Sequence, residues 1–154
     1  MSRLYLMCGF LGAGKTTVSQ QLSVQTGAIH LNPDKLCFDL FSKQECEQNW
    51  DECFSKTISV IWEQMVVYAQ KNKDVIMDMG FWTKCSRETA KRHAKILGMD
   101  AVLYYIYVPD EILKKRLSLR QGKIAEYNLK QFENLKKKFE EPTADENAIR
   151  INNF

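Results

Sequence analysis

From Met7 to Thr17 the chain reads Met-Cys-Gly-Phe-Leu-Gly-Ala-Gly-Lys-Thr-Thr, and no other stretch constrains the fold as tightly. Gly9 to Thr16 spell Gly-x-x-x-x-Gly-Lys-Thr. The apolar run Arg3 to Cys8 precedes them, Val18 and Leu22 follow at helical spacing, and Gly27 supplies a stop. Strand, glycine loop and helix start in direct succession make a cradle for phosphate. Glycines let backbone N–H groups turn inward, and the helix N-terminus adds unpaired donors and the positive end of its dipole. In that setting Lys15 reaches the β- and γ-phosphates and the Thr16 hydroxyl ligates Mg²⁺. Gly9, Leu11, Gly12, Ala13, Gly14, Lys15, Thr16 and Thr17 are the expected nucleotide-binding residues. A chance match in a chain this size arises on the order of once in a few hundred.

The rest of the chain alternates apolar runs with helical spacing. Ala28 to Leu31, Asp74 to Met79, Ala101 to Val108 and the alternation around Ile149 and Ile151 read as further strands. Asn32-Pro33 opens a helix carrying Leu36, Phe38, Leu40 and Phe41, with Asn32 as cap and Pro33 in the first turn. One long helical segment is expected from about Glu45 to Gln70, another from Ser86 to Leu97 closed by Gly98, and another from Asp110. The pattern breaks over Gln121 to Tyr127 and resumes at Leu129, Phe132, Leu135 and Phe139. Alternating strands and helices imply an α/β fold, a parallel sheet flanked by helices, with ligands at the carboxyl ends of the strands. That end gathers Gly9 to Thr16, Asn32 to Lys35, Asp78 to Trp82 and the loop near Pro109.

Composition narrows the rest. At 154 residues, 45% hydrophobic, the chain suits a single domain, 1–154, with its own core. A net charge of +3 is too small to argue for nucleic acid, and no basic stripe with interleaved aromatics appears, so a nucleic-acid acceptor is left without support. The five cysteines are an odd number with no C-x-x-C pair, which argues against a disulfide framework or zinc site and points to a reducing cytoplasm. No signal peptide and no membrane-length apolar run is present. Lys136 to Lys138 read as a solvated helix face, and nothing in the chain decides between a monomer and a homodimer.

Charged residues near the expected crevice carry the chemistry. Asp34 follows the second strand, where it can accept the proton of an attacking hydroxyl; a helix first turn also favours a carboxylate for its dipole. Asp78 sits where a carboxylate holds Mg²⁺ through water, or caps the following turn. Asp74 belongs at the far end of that strand. Arg116 and Arg120, four apart, share a helix face leading into Gln121 to Tyr127, where they could clamp phosphates and neutralise transition-state charge; for Arg116 a purely structural place is equally open. His30 reads as a packed core residue, His93 as surface, and Lys84 and Arg87 as solvated helix charges. The aromatic-rich helix from Trp50 to Tyr68 could wall an acceptor pocket or be core.

These residues resemble the compact P-loop kinases that include polynucleotide kinase, zeta toxin, chloramphenicol phosphotransferase and gluconate kinase, and most of all the small bacterial AAA-domain ATP-binding proteins of that branch. The resemblance runs through Gly9 to Thr17, Asn-Pro-Asp-Lys at 32–35, Ile-Met-Asp-Met-Gly-Phe at 76–81, Tyr107 to Leu117, and Phe-Glu-Glu-Pro-Thr-Ala-Asp-Glu at 139–146. It implies a nucleoside-monophosphate-kinase-like P-loop NTPase fold with sheet order 2-3-1-4-5, ATP with Mg²⁺, and a short lid, here about 120–128, carrying arginines. It also implies a general base matching Asp34 and an adenine-side loop around Phe139 and Pro142. The loop is also very like that of metallochaperone-type GTPases, but their Cys-x-Cys-Cys motif and the Asn-Lys-x-Asp guanine motif are missing, which favours ATP over GTP. The sequence therefore predicts an ATP-dependent kinase acting on a hydroxyl of an unidentified acceptor. Two alternatives are a nucleotide-gated binding protein or ATPase and, further off, a metallochaperone-type GTPase.

Overall fold

A computed structural model describes residues 1–154. Five strands form one parallel sheet in the order β2-β3-β1-β4-β5: β1 Arg3–Cys8, β2 Ile29–Leu31, β3 Val75–Gly80, β4 Asp100–Tyr107 and β5 Ile149–Asn152. Helices flank it: α1 Lys15–Thr26, α2 Pro33–Leu40, α3 Lys43–Gln48, α4 Trp50–Gln70, α5 Lys84–Ile96, α6 Asp110–Ser118, α7 Lys123–Lys130 and α8 Phe132–Lys136. β1 is the centre because every residue from Leu4 to Cys8 is apolar enough to be buried on both faces, as a central parallel strand requires. Its register against β3 pairs Leu4 with Val75 and Leu6 with Met77, and against β4 it pairs Leu6 with Leu103. The core then continues outward through Ile61, Met65, Leu113 and Phe132. No helix is long and apolar enough to cross a membrane.

Three expectations are corrected. The helical segment from Glu45 to Gln70 is two helices, α3 and α4, separated at Asn49, whose φ of −139° leaves the helical region. Ser42 and Glu45 form a reciprocal capping box that starts α3. The break lets Cys37, Cys46 and Cys53 meet in a small buried cluster that their sequence spacing hides; burial pushes the Cys46 thiol up to about 11, and all five cysteines are free thiols. The segment Gln121 to Tyr127 is not irregular throughout. After Gly122 it becomes α7, which packs on α6 through buried Ala125 while Ile124 is exposed, so its apolar face is too small to show as a period.

The third correction concerns Arg87. It is no solvated helix charge but is fully buried in α5. Its Nε and Nη2 donate to the two Glu146 oxygens at 2.6 and 2.9 Å, and its Nη1 donates to the carbonyls of Phe81 and Glu140, each at 2.9 Å. These bonds hold the Glu146 carboxyl down at about 2 against the opposing effect of burial, with the Thr143 N–H assisting. Phe81 is buried with φ 48°, a left-handed conformation that a bulky residue adopts only when its surroundings hold it. Arg87 thus ties the loop after β3 to the loop before β5. Lys84 is half-exposed and pairs with Asp145 at 2.7 Å.

Arg87→Met strands a buried carboxylate and is expected to cost about 3–5 kcal/mol in urea unfolding at pH 7. A loss below about 1 kcal/mol would show the pair to be dispensable. Because Glu146 is depressed when folded, its contribution is complete above the unfolded value of about 4.3. It should fade as pH falls toward 2 in the native protein, and that part of the slope should be missing from Arg87→Met.

Candidate active site

The register of β1 on β3 ends with Cys8 opposite Gly80, and Gly9 N–H then donates to the Gly80 carbonyl at 3.0 Å. This lays the glycine loop beside the end of β3. A Cβ on Gly9 would stand 3.1 Å from the Ile106 carbonyl and from Lys15 Cγ, so the loop enters its turn only with hydrogen there. Gly14 has φ 86° and lies so close to Asn153 that a Cβ would be 2.5 Å from its Nδ2. The loop, α1, α2, the end of β3 and the segment after α6 enclose a cleft of about 400 Å³. Leu11, Gly12, Gly14, Lys15, Thr16 and Thr17 line one wall, Asn32 and Asp34 another, and Asp78 to Gly80, Trp82 and Arg120 complete it.

Inside it the charges are arranged around Lys15. Its ammonium donates to the Phe10 carbonyl at 3.0 Å. Burial lowers its pKa, opposed by the nearby carboxylates of Asp78 and Asp34, and Arg120 lowers it further. Asp34 stands in the first turn of α2, where Pro33 starts the helix and the Asn32 side chain accepts from Lys35 N–H at 3.1 Å. Its side chain reaches solvent at the cleft. The surrounding walls still thin its hydration and Asp78 adds negative charge, so its pKa is raised despite Lys15. Asp78 is buried within β3, two residues before the strand ends, and its Oδ2 is 3.1 Å from His30 Nε2. Asp74 accepts from Arg3 N–H at the other end of the sheet, as its position implied.

A Mg²⁺ ion fits this set. It takes hard oxygen ligands, commonly one or two from protein with phosphate and water completing an octahedron. The Thr16 hydroxyl at the exposed start of α1 and the buried Asp78 carboxylate line the same cleft and supply such oxygens. No three His, Cys, Asp or Glu side chains converge into a separate cage.

The expected arginines part company. Arg120, exposed just beyond α6, lines the cleft. Arg116 turns under the loop, its Nη1 donating to the Gly12 carbonyl at 3.2 Å and its Nη2 to the Asn153 carbonyl at 2.6 Å. Ala13 is buried within the loop. Phe139 is also buried, its ring among Phe10, Trp82 and Tyr105, so it supports the loop from behind and does not line the cleft. Pro142 is half-buried beside the Arg87 tie and also lies outside the cleft lining.

Two residues were missed. Asn153 Nδ2 donates to the Ala13 carbonyl at 2.8 Å, so the end of β5 props the glycine loop. The only hint in the sequence is that a residue just past a strand falls at the ligand end of a parallel sheet. His30, read as core packing, is hydrogen-bonded to Asp78, and that contact needed the register of β2 on β3, which sets His30 beside Ile76.

Comparison with solved structures shows the same fold at low identity. A sugar kinase from Janibacter sp. HTCC2649 is 18% identical, with TM-score 0.72 over 99% of this chain and 86% of that one. Kti12 from Chaetomium thermophilum, in complex with ADP-AlF3, is 18% identical with TM-score 0.71 over 97% and 88%. A gluconokinase from Sinorhizobium meliloti 1021 is 12% identical with TM-score 0.70 over 98% and 82%. No curated protein matches at the sequence level. Residues 4–142 match the family model described as an AAA domain, and with the P-loop kinase fold now in place the chain belongs to that family, AAA_33.

Proposed function

We propose that this protein is an ATP- and Mg²⁺-dependent phosphotransferase that moves the γ-phosphoryl group to a hydroxyl of a small acceptor. The observation that carries this reading is the convergence of Asp34, Asp78 and Arg120 on Lys15 across one cleft. The sugar kinase, the gluconokinase and the ADP-AlF3 complex of Kti12 support it through their shared fold.

Phosphoryl transfer asks the protein mainly to position groups and stabilise charge. The loop N–H groups and α1 N-terminus hold the phosphates, and Lys15 exchanges the Phe10 carbonyl for phosphate oxygens. Thr16 and Asp78 would hold Mg²⁺, which would offset phosphate charge when bound. Asp34 takes the proton of the acceptor hydroxyl as its oxygen bonds to the γ-phosphorus and the bond to the β–γ bridging oxygen breaks, releasing ADP. Arg120 stabilises charge on the transferring group, and residues about 120–128 act as the lid. Arg116 fixes the loop and Asn153 in place, so its contribution to catalysis is positional. The five free thiols are in keeping with a cytoplasmic setting.

The test is transfer of label from γ-labelled ATP to nucleosides, sugar acids and hydroxyl-bearing antibiotics. Asp34→Asn should lower transfer about 10²- to 10⁴-fold while leaving ATP affinity within about twofold. Unchanged turnover would end the assignment, and label released only as inorganic phosphate would favour an ATPase that gates a partner. Because Asp34 must be ionised and its pKa is raised, kcat/KM should decline on acidification starting above the ordinary Asp value of about 3.9. That limb should vanish in Asp34→Asn. Arg120→Ala should lower kcat about 10²-fold or more at unchanged melting temperature. Arg116→Ala should instead lower stability by about 1–3 kcal/mol, measured by thermal unfolding, and weaken ATP binding with it.

A further inference from the structure

The cleft explains where phosphates go but leaves the body of the acceptor unplaced. Helix α2 supplies the clue. Asp34 and Phe38 are four residues apart, so they share one face of the helix about 6 Å apart along its axis. The other faces of α2 are engaged. Cys37 packs into the cysteine cluster, Leu36 against the main core, and Lys35 and Asp39 face a polar groove beside α1. Two apolar residues of α2 are left out, Phe38 at 53% and Leu40 at 46% exposed, and of these Phe38 shares the Asp34 face.

It is not a stray surface ring. Its centroid is 5.5 Å from that of Trp50, itself 37% exposed, and Trp50 stacks on Phe54 at 5.5 Å with planes 24° apart. Phe54 rests on the buried cysteine cluster that joins α2, α3 and α4. The result is a backed, pre-formed aromatic surface one helical turn beyond the residue read as the base. A molecule whose hydroxyl sits at Asp34 and which extends along α2 meets this surface first. Stacking a planar ring on it would remove apolar area from water at no cost in ordering the protein.

We propose that the acceptor is a small molecule bearing a planar ring roughly 6 Å, one helical turn, from its reacting hydroxyl, and that Phe38, backed by Trp50, is the platform for that ring. The proposal rests on the phosphotransferase reading, and its test separates the two.

With the nucleotide site filled by Mg²⁺-ADP, binding of matched probes is measured by calorimetry: adenosine against ribose, thymidine against deoxyribose, and 3-phenylpropanol against propanol. At least one ring-bearing probe should bind tenfold or more tighter than its ring-free partner. Phe38→Ala should abolish that preference and Phe38→Tyr should retain it, with Mg²⁺-ADP affinity unchanged in both. The exposed position makes misfolding no obstacle. Equal binding within every pair, or a preference that survives Phe38→Ala, overturns the platform. So does a wild-type dimer that becomes a monomer in Phe38→Ala, because the rings would then be covered by a second copy. Label transfer from ATP is followed with the same probes. Ring-dependent binding without transfer to any ring-bearing probe overturns the ring as part of the acceptor and leaves the phosphotransferase reading to the wider acceptor panel, whereas equal transfer to ring-bearing and ring-free partners keeps the kinase and removes the platform.

Discussion

The hydrogen bond from Gly9 N–H to the Gly80 carbonyl, 3.0 Å long, joins the glycine loop to the end of β3, and the site depends on that junction. It exists because β1 lies between β3 and β4 in parallel register, apolar on both faces. The same register that buries Leu4 and Leu6 sets Lys15 within electrostatic reach of Asp78. Packing and chemistry are therefore one arrangement here. A hydrophobic strand fixes the height at which each loop leaves the sheet, and the loops carry the functional groups. Behind the junction, Arg87 holds the left-handed Phe81 and the Glu140 carbonyl, so the wall opposite the glycine loop is pinned to the core through Glu146.

Electrostatics divides the charged residues into two kinds. Arg87 and Glu146 are fully buried and paired with one another, their remaining polar atoms bonded to nearby backbone, which makes them structural. Lys15, Asp34 and Arg120 face a common cleft whose charges act on Lys15 and Asp34 without closing into tight ion pairs. Lys15 rests on a backbone carbonyl, a partner that a phosphate oxygen can replace. Groups held this way are available to a ligand, and it is availability rather than burial that separates the two sets. Arg116 falls on the structural side, since both its bonds go to backbone carbonyls that shape the loop.

Much of this was legible in the sequence, for definite reasons. Gly9 to Thr16 announced the loop because glycine, lysine and threonine each have a separate physical task there, and the run Ala101 to Val108 announced a strand because no charged residue interrupts it. Asp34 and Asp78 were singled out from their positions at the carboxyl ends of the strands, Asp34 just past β2 and Asp78 near the end of β3. What escaped depends on long-range geometry. Asn153 meets Ala13 across 140 residues, and Arg87 meets Glu146 across 59. No local period encodes either contact. The assignment of Arg87 to solvent failed because charge alone suggests exposure, whereas its partner lies in another loop. The split at Asn49 and the start of α7 after Gly122 were missed because short helices bury too few residues to set a period. Phe139 was placed beside the base by resemblance, while its burial among Phe10, Trp82 and Tyr105 gives it a supporting place behind the loop.

The proposed role of the cleft around Lys15 is to hold a Mg²⁺-nucleotide. Calorimetric titration of ATP into the protein, with and without Mg²⁺, beside the Lys15→Met variant, tests it most directly. A Mg²⁺-nucleotide site there predicts one site per chain, binding strengthened by Mg²⁺, and a loss of about tenfold or more in Lys15→Met, the scale of one charge-assisted contact to phosphate. Equal affinity in the variant, or binding indifferent to Mg²⁺, would contradict it.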